Sequence, residues 1–157
     1  GGDWAKDRLI PDFFRAVETE DTLKIRNPNA IRPWQHVLEP LSGYLMLAEK
    51  LVTDGAKYAE AWNFGPNINE IKTVSEIAEY LCKKIKGSKW SVENSNNFHE
   101  TTLLKIDSSK AQSKLGWSQK WNMETTLNKT IDWYAGWLNK KNLNSITISQ
   151  IEEYENF

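Results

Sequence analysis

"RNPNAIRPWQHVLEP", residues 26–40, decides how this chain is read. It gathers three of the five prolines, Arg26, Arg32 and Trp34 directly ahead of a good helix-forming run. "NPNA" carries turn residues, and Arg32 precedes a proline, which pushes its backbone towards the extended region. The alternating "TLKIR" (22–26) before the turn and "RPWQHV" (32–37) after it are therefore expected as two extended segments. If they pair through the turn at 28–30, Arg26 and Arg32 approach one another. Two guanidinium groups repel at close range unless an anion or acidic side chains lie between them. A diphosphate suits such a gap, because the planar guanidinium grips phosphate with two parallel hydrogen bonds.

The wider sequence sharpens that reading. All four arginines (Arg8, Arg15, Arg26, Arg32) fall in the first third of the chain, and every later cation is lysine. Arg15 is expected on the outer face of the first helix, with no role in a site. The 157 residues carry 20 basic and 21 acidic side chains, a balance that gives no support to nucleic-acid or membrane-surface binding. No apolar run is long enough to span a bilayer and no signal peptide opens the chain, so a cytoplasmic location is expected. Cys82 alone cannot form an internal disulfide, and one cysteine with His36 and His99 makes a zinc site improbable. Eight tryptophans are many for this length; each has a large apolar surface and one N–H donor.

Outward from the opening stretch, "LIPDFFRAVE" (9–18) reads as a helix with Pro11 in its first turn. Glu39-Pro40 opens a second helix to about Thr53, ended by Gly55, with Leu38, Leu41, Leu45, Ala48 and Val52 on one apolar stripe. "EAWNFG" (60–65) has the character of a buried strand. Thr73 and Glu76 form a capping box for an amphipathic helix to Lys86, stopped by Gly87. "KWSVE" (89–93) and "LLKI" (103–106) read as strands around a polar loop. Asp107 caps a helix ending at Gly116, and a long helix over about 122–140 shows Met123, Leu127, Ile131, Tyr134 and Leu138 on one stripe. Thr147 starts a last short helix. The fold class is mixed α/β.

Chemical motifs are scarce. There is no glycine-rich dinucleotide loop, Walker loop, zinc-protease helix or nucleophile elbow. Tyr80 and Lys84 spell Y-x-x-x-K, in which a lysine lowers a tyrosine's pKa for proton transfer. No nucleotide-binding βαβ unit precedes them, and the pair borders the buried face of an amphipathic helix, so it is read as packing. His99-Glu100 reads as a solvated pair on its residues alone. Trp4 and Trp34 offer flat apolar surface for a base or sugar, and Trp34 serves equally as core.

The stretches "GGDWAKDRLIPDFFRA", "LKIRNPNAIRPWQHVLEPLSGYLMLAEKL", "EAWNFGPN", "HETTLLKIDSSKAQSKLGW" and "TIDWY" together resemble the C-terminal part of nucleotide-sugar 4,6-dehydratases that act on a CDP-hexose. These belong to the extended short-chain dehydrogenase/reductase family. The resemblance runs from residue 1 to about 138. It implies a Rossmann-type NAD-binding part upstream and a smaller mixed α/β region gripping the nucleotide sugar. Residues 1–141 are then the substrate-binding region and 142–157 a tail helix. The implied partner is CDP-glucose, the cofactor NAD belongs to the parent enzyme and is not expected on this piece, and the parent is a homodimer. The implied reaction oxidises C4 of the hexose, eliminates water across C5–C6 and returns the hydride at C6.

Carried over position by position, the resemblance makes Arg32 the diphosphate ligand and Arg8 a basic residue entering the nucleotide-binding loop. It makes Leu9 a packing surface for the nucleotide. Lys24 and Arg26 fall on the strand beside base and ribose, and His99 and Glu100 on a loop closing over the nucleotide. No catalytic residue is carried over. The start "GGDWAKDR", without Met or a preceding element, leads to the expectation of a piece of a longer protein without dehydratase activity of its own. In the parent, the stripe of the second helix and "EAWNFG" would cover the Rossmann sheet; alone, they would be buried by a partner, rearrange or stay exposed. The rivals are another nucleotide-sugar dehydratase or epimerase, and a non-catalytic carbohydrate- or nucleotide-binding module.

Overall fold

A computed structural model describes residues 3–93 and 101–157. In chain order its α-helices are α1 (Leu9–Glu18), α2 (Leu38–Asp54), α3 (Val74–Lys84), α4 (Met123–Leu138) and α5 (Leu143–Glu155), and the helix expected before Gly116 is a π-helical turn over Ala111–Leu115. Its strands are β1 (Thr22–Ile25), β2 (Ile31–Arg32), β3 (Lys72–Thr73) and β4 (Lys89–Val92). The mixed α/β class expected from the residues is what the chain adopts.

The two segments flanking the "NPNA" turn do not pair with each other. β1 runs parallel to β4, with Lys24 opposite Ser91, and β2 pairs antiparallel with β3, with Arg32 opposite Lys72. The turn sends the chain away from β1 because the start of α3 claims it. The Ser75 N–H donates to Pro28 O at 2.9 Å and the Val74 N–H to Ala30 O at 2.9 Å. Beyond Arg32 the expected extended segment bends at once, the Trp34 N–H donating back to Arg32 O at 3.0 Å.

Local signals set the helix ends. Thr73 and Glu76 make the reciprocal capping box, Asn122 accepts from Thr125 N–H at the start of α4, and Asn142 accepts from Ser145 N–H at the start of α5. The Asn142 cap starts the last helix four residues before Thr147 and makes it longer than expected. The α4 stripe packs as expected: Met123, Leu127 and Tyr134 are buried with Phe13, Phe14, Leu23, Ile25 and the inner face of α3.

Two expected strands find no full strand partner among the described residues, and the stripe of α2 takes the exposed one of its expected alternatives. "EAWNFG" is irregular: its carbonyls are taken by side chains, Lys110 Nζ donating to Ala61 O at 2.7 Å and Gln35 Nε2 to Phe64 O at 2.9 Å. "LLKI" makes a single parallel bridge, Ile31 to Leu103. On α2, Glu39 and Gly43 are the buried residues, and the apolar stripe faces outward, with Leu45 73% and Val52 87% exposed. Phe64, in contrast, is buried within the chain beside Trp117.

Glu39 anchors the second half of the molecule. Its carboxyl group is fully buried and accepts from Trp121 N–H at 2.8 Å, Lys120 N–H at 3.1 Å and the Tyr154 hydroxyl at 2.8 Å. One side chain thereby joins α2, the segment before α4, and α5. A carboxyl group survives at full burial only with such partners.

Candidate functional site

A cleft of about 1130 Å³ opens between the loop before α1, the first residues of α1, β1 and the bend after β2. Arg8, Leu9, Lys24, Arg26 and Arg32 all line it, as does Trp34. Five of the seven residues singled out from the sequence thus meet around one space. His99 and Glu100 lie outside the described residues.

Each side chain is placed by its own element. Arg8 precedes the first residue of α1 in an extended conformation and is exposed. Leu9 packs against the main core. Lys24 projects from β1, and its Nζ donates to Ser91 Oγ at 3.1 Å across the parallel pair. Arg26 follows β1 and donates from Nη2 to Asp7 Oδ1 at 3.0 Å. Arg32 donates from Nη1 to Ile31 O at 3.0 Å and Thr101 O at 2.8 Å, so it also ties the 101–104 segment to β2. Two further bonds hold that segment, Ile31 N–H to Thr102 O at 2.8 Å and Leu104 N–H to Ile31 O at 3.1 Å.

Arg26 and Arg32 therefore reach the cleft from different sheets, each with a protein oxygen as partner. The expected pairing of their two segments across a shared turn does not occur, and both arginines line the same space. Five cations, Arg8, Arg15, Lys24, Arg26 and Arg32, line the cleft together with six carboxylates, Asp3, Asp7, Asp12, Glu18, Asp21 and Glu93. Its charge is therefore mixed, and an anionic ligand would be met by the guanidinium and ammonium groups rather than by a net positive field.

The two tryptophans divide. Trp34 lines the cleft half-buried, packs on the core and donates from Nε1 to Lys72 O at 3.1 Å. Trp4 is committed to protein: its ring lies 4.4 Å from that of Trp137 and meets Tyr134 edge-on at 5.4 Å.

Deeper along the cleft His36 is buried, with Nδ1 3.3 Å from the Leu38 N–H and its ring edge-on to Trp121. Burial, with the positive charge of Lys129, lowers its pKa to about 4, so the ring is neutral near pH 7. Tyr80 gives its hydroxyl to Asn128 Oδ1 at 2.8 Å and carries Lys84 Nζ 5.2 Å over its ring. The pair packs α3 on α4 and lies away from the cleft. Among the described residues no cluster of His, Cys, Asp and Glu could hold a metal ion, and no helix is long and apolar enough to cross a membrane.

Two further charged residues shape the edge of the cleft. Asp7 sits in the left-handed region, with φ 62°, and takes the Arg26 guanidinium. Arg15, expected on the outer face of the first helix, donates to the backbone of the loop that leads to Arg8. Neither lies in the stretch 26–40, and nothing in the local pattern distinguished either from surface charge.

No protein-family profile matches the chain. It is 44% identical over 155 residues to CDP-glucose 4,6-dehydratase of Salmonella typhimurium, a match covering 98% of this chain and 43% of that protein. The chain thus spans less than half the length of the curated relative it matches. Among solved structures it resembles dTDP-glucose 4,6-dehydratase of Bacillus anthracis in complex with NAD, with a TM-score of 0.62 at 21% identity over 82% of this chain and 39% of that one. It also resembles UDP-glucuronic acid 4-epimerase of Bacillus cereus in complex with UDP-glucuronic acid and NAD, with a TM-score of 0.67 at 18% identity over 83% of this chain and 40% of that one. The chain is accordingly a homologue of CDP-glucose 4,6-dehydratase, with the fold of the matching part of the short-chain dehydrogenase/reductase enzymes that act on nucleotide sugars.

Proposed function

We propose that this chain is the substrate-gripping part of an NAD-dependent CDP-glucose 4,6-dehydratase, and that its cleft binds the nucleotide diphosphate of CDP-glucose. The observation that carries the reading is 44% identity to that enzyme over 98% of the chain. The cleft supports it: Arg8, Lys24, Arg26 and Arg32 supply positive charge where a diphosphate would lie, and Trp34 and Leu9 supply apolar surface beside it.

The described residues offer no site that fits NAD. Both sheets have two strands, and no glycine-rich loop joins a strand to a helix among the described residues. In this reading NAD and the proton-transfer groups belong to the remainder of the length that the relatives have. What this chain contributes is binding and orientation: it holds the diphosphate so that the hexose is presented outward from the cleft. The whole enzyme would act as a homodimer in the cytoplasm.

Titration of the chain with CDP-glucose, followed by calorimetry, tests the proposal. Binding is expected to be tighter for CDP-glucose than for glucose 1-phosphate. Arg32→Ala should weaken it by about ten- to a hundredfold, as expected for a charge-assisted contact contributing roughly 1.5–3 kcal/mol. Arg32→Lys should recover only part, since lysine keeps the charge and loses the fork. With NAD added, no 4-keto product should form. Failure of the chain to bind CDP-glucose, or binding indifferent to Arg32→Ala, would sink the assignment.

A further inference from the structure

We infer that Arg15 is a positioning residue for the cleft, acting through the loop that carries Arg8; this rests on the nucleotide-sugar reading of the cleft. Its guanidinium spans two successive backbone carbonyls, Nη1 donating to Trp4 O at 2.9 Å and Nη2 to Ala5 O at 3.1 Å. The same group pairs with Asp12 one turn back on α1. These bonds all go to protein, so Arg15 lines the cleft without offering those donors to a ligand.

The loop needs such a hold. Residues 3–8 form no regular element beyond a turn, and within them Asp7 adopts the left-handed conformation that reverses the chain just before Arg8. A non-glycine residue there is strained and persists only where its surroundings enforce it. Three other anchors work with Arg15. The Tyr134 hydroxyl donates to Asp3 O at 2.9 Å, the Trp4 ring packs on Trp137, and Arg26 holds Asp7. Arg15 is the anchor that ties the middle of the loop to α1, the helix that Arg8 directly precedes. Its removal would leave the ends pinned and the middle loose, which spreads the positions open to Arg8. A planar fork meets two adjacent carbonyls at once, and a single ammonium does not.

The test is a double-mutant cycle on the intact chain, with CDP-glucose as the probe. Arg15→Ala is expected to weaken binding roughly tenfold, close to the effect of Arg8→Ala, and the double variant to be little worse than either. Arg15→Lys should recover little affinity while keeping the fold, which guards against a variant that merely unfolds. Limited trypsin digestion gives an independent readout, because cleavage after Lys6 and Arg8 should accelerate in both Arg15 variants while the rest of the chain stays protected. Affinity unchanged in Arg15→Ala, effects that simply add, or unchanged cleavage in the loop would each overturn the inference. An unmodified chain that binds no CDP-glucose would instead overturn the proposed function and take this inference with it.

Discussion

His36 lines the cleft just before the start of α2, its ring edge-on to that of Trp121. Its pKa falls to about 4 through burial first, so protons bind the unfolded chain in preference to the folded one. Stability from this residue is fully present above the ordinary histidine value of about 6.5 and is lost as pH falls towards 4. The whole effect is about 3 kcal/mol, of which about 2 kcal/mol should disappear between about pH 7 and about pH 5. Urea unfolding at those two pH values checks it, and His36→Gln should show a shallower decline. An identical decline in the variant would show that another group is responsible. The arginines make a second point at this scale. Their concentration near residues 26–32 was legible in the sequence, but their partners were not. Arg26 is held by Asp7 and Arg32 by Thr101 O, contacts that span 19 and 69 positions along the chain.

At the level of elements, α2 inverts the usual relation between pattern and burial. Its apolar positions recur at helical spacing, yet what it turns inward is Glu39, with three donors, and Gly43, against the ring of Phe64. A Cβ at Gly43 would stand 2.3 Å from Phe64 Cδ1. Gly43→Ala should therefore destabilise the chain by about 1–3 kcal/mol through overpacking, although alanine is the better helix former. Thermal unfolding measures it, and an unchanged or raised midpoint would mean that Phe64 relaxes freely. Tyr154→Phe removes one donor from Glu39 and the 3.1 Å contact with Ser42 Oγ. It should cost about 1–3 kcal/mol, which would make α5 a structural member of the molecule. A change below about 0.5 kcal/mol would show that Glu39 is satisfied without α5.

For the molecule as a whole, the exposed stripe on α2 is the feature that a self-contained domain would not retain. Leu41, Tyr44, Leu45, Leu51 and Val52 are all exposed on one helix. Buried leucines and valines cost several kcal/mol when truncated, but here Leu45→Ser and Val52→Ser should each change the stability of this chain by less than about 0.5 kcal/mol. Denaturant unfolding of the two variants decides; a loss of about 2 kcal/mol or more would mean that the stripe is buried in solution. In the proposed enzyme the same face would lie against the NAD-binding part, so the substitutions should lower activity there while leaving this chain folded.

Taken alone, the sequence determined the mixed α/β class, the positions of α1 to α4, the capping box at Thr73, the packed stripe of α4 and the resemblance to nucleotide-sugar dehydratases. These are written locally, in spacings of three and four residues and in cap residues, or in motifs that survive as strings. Only the tertiary structure decided that β1 pairs with β4 and β2 with β3, that 60–65 is no strand, and that α2 faces outward with its apolar side. The cause is physical. A strand exists only with a neighbour to take its hydrogen bonds, and that neighbour is chosen by contacts distant in sequence. The buried side of a helix depends likewise on what lies beside it, and here the fully buried Glu39 turned inward because two backbone N–H groups and a tyrosine hydroxyl came from far along the chain to meet it.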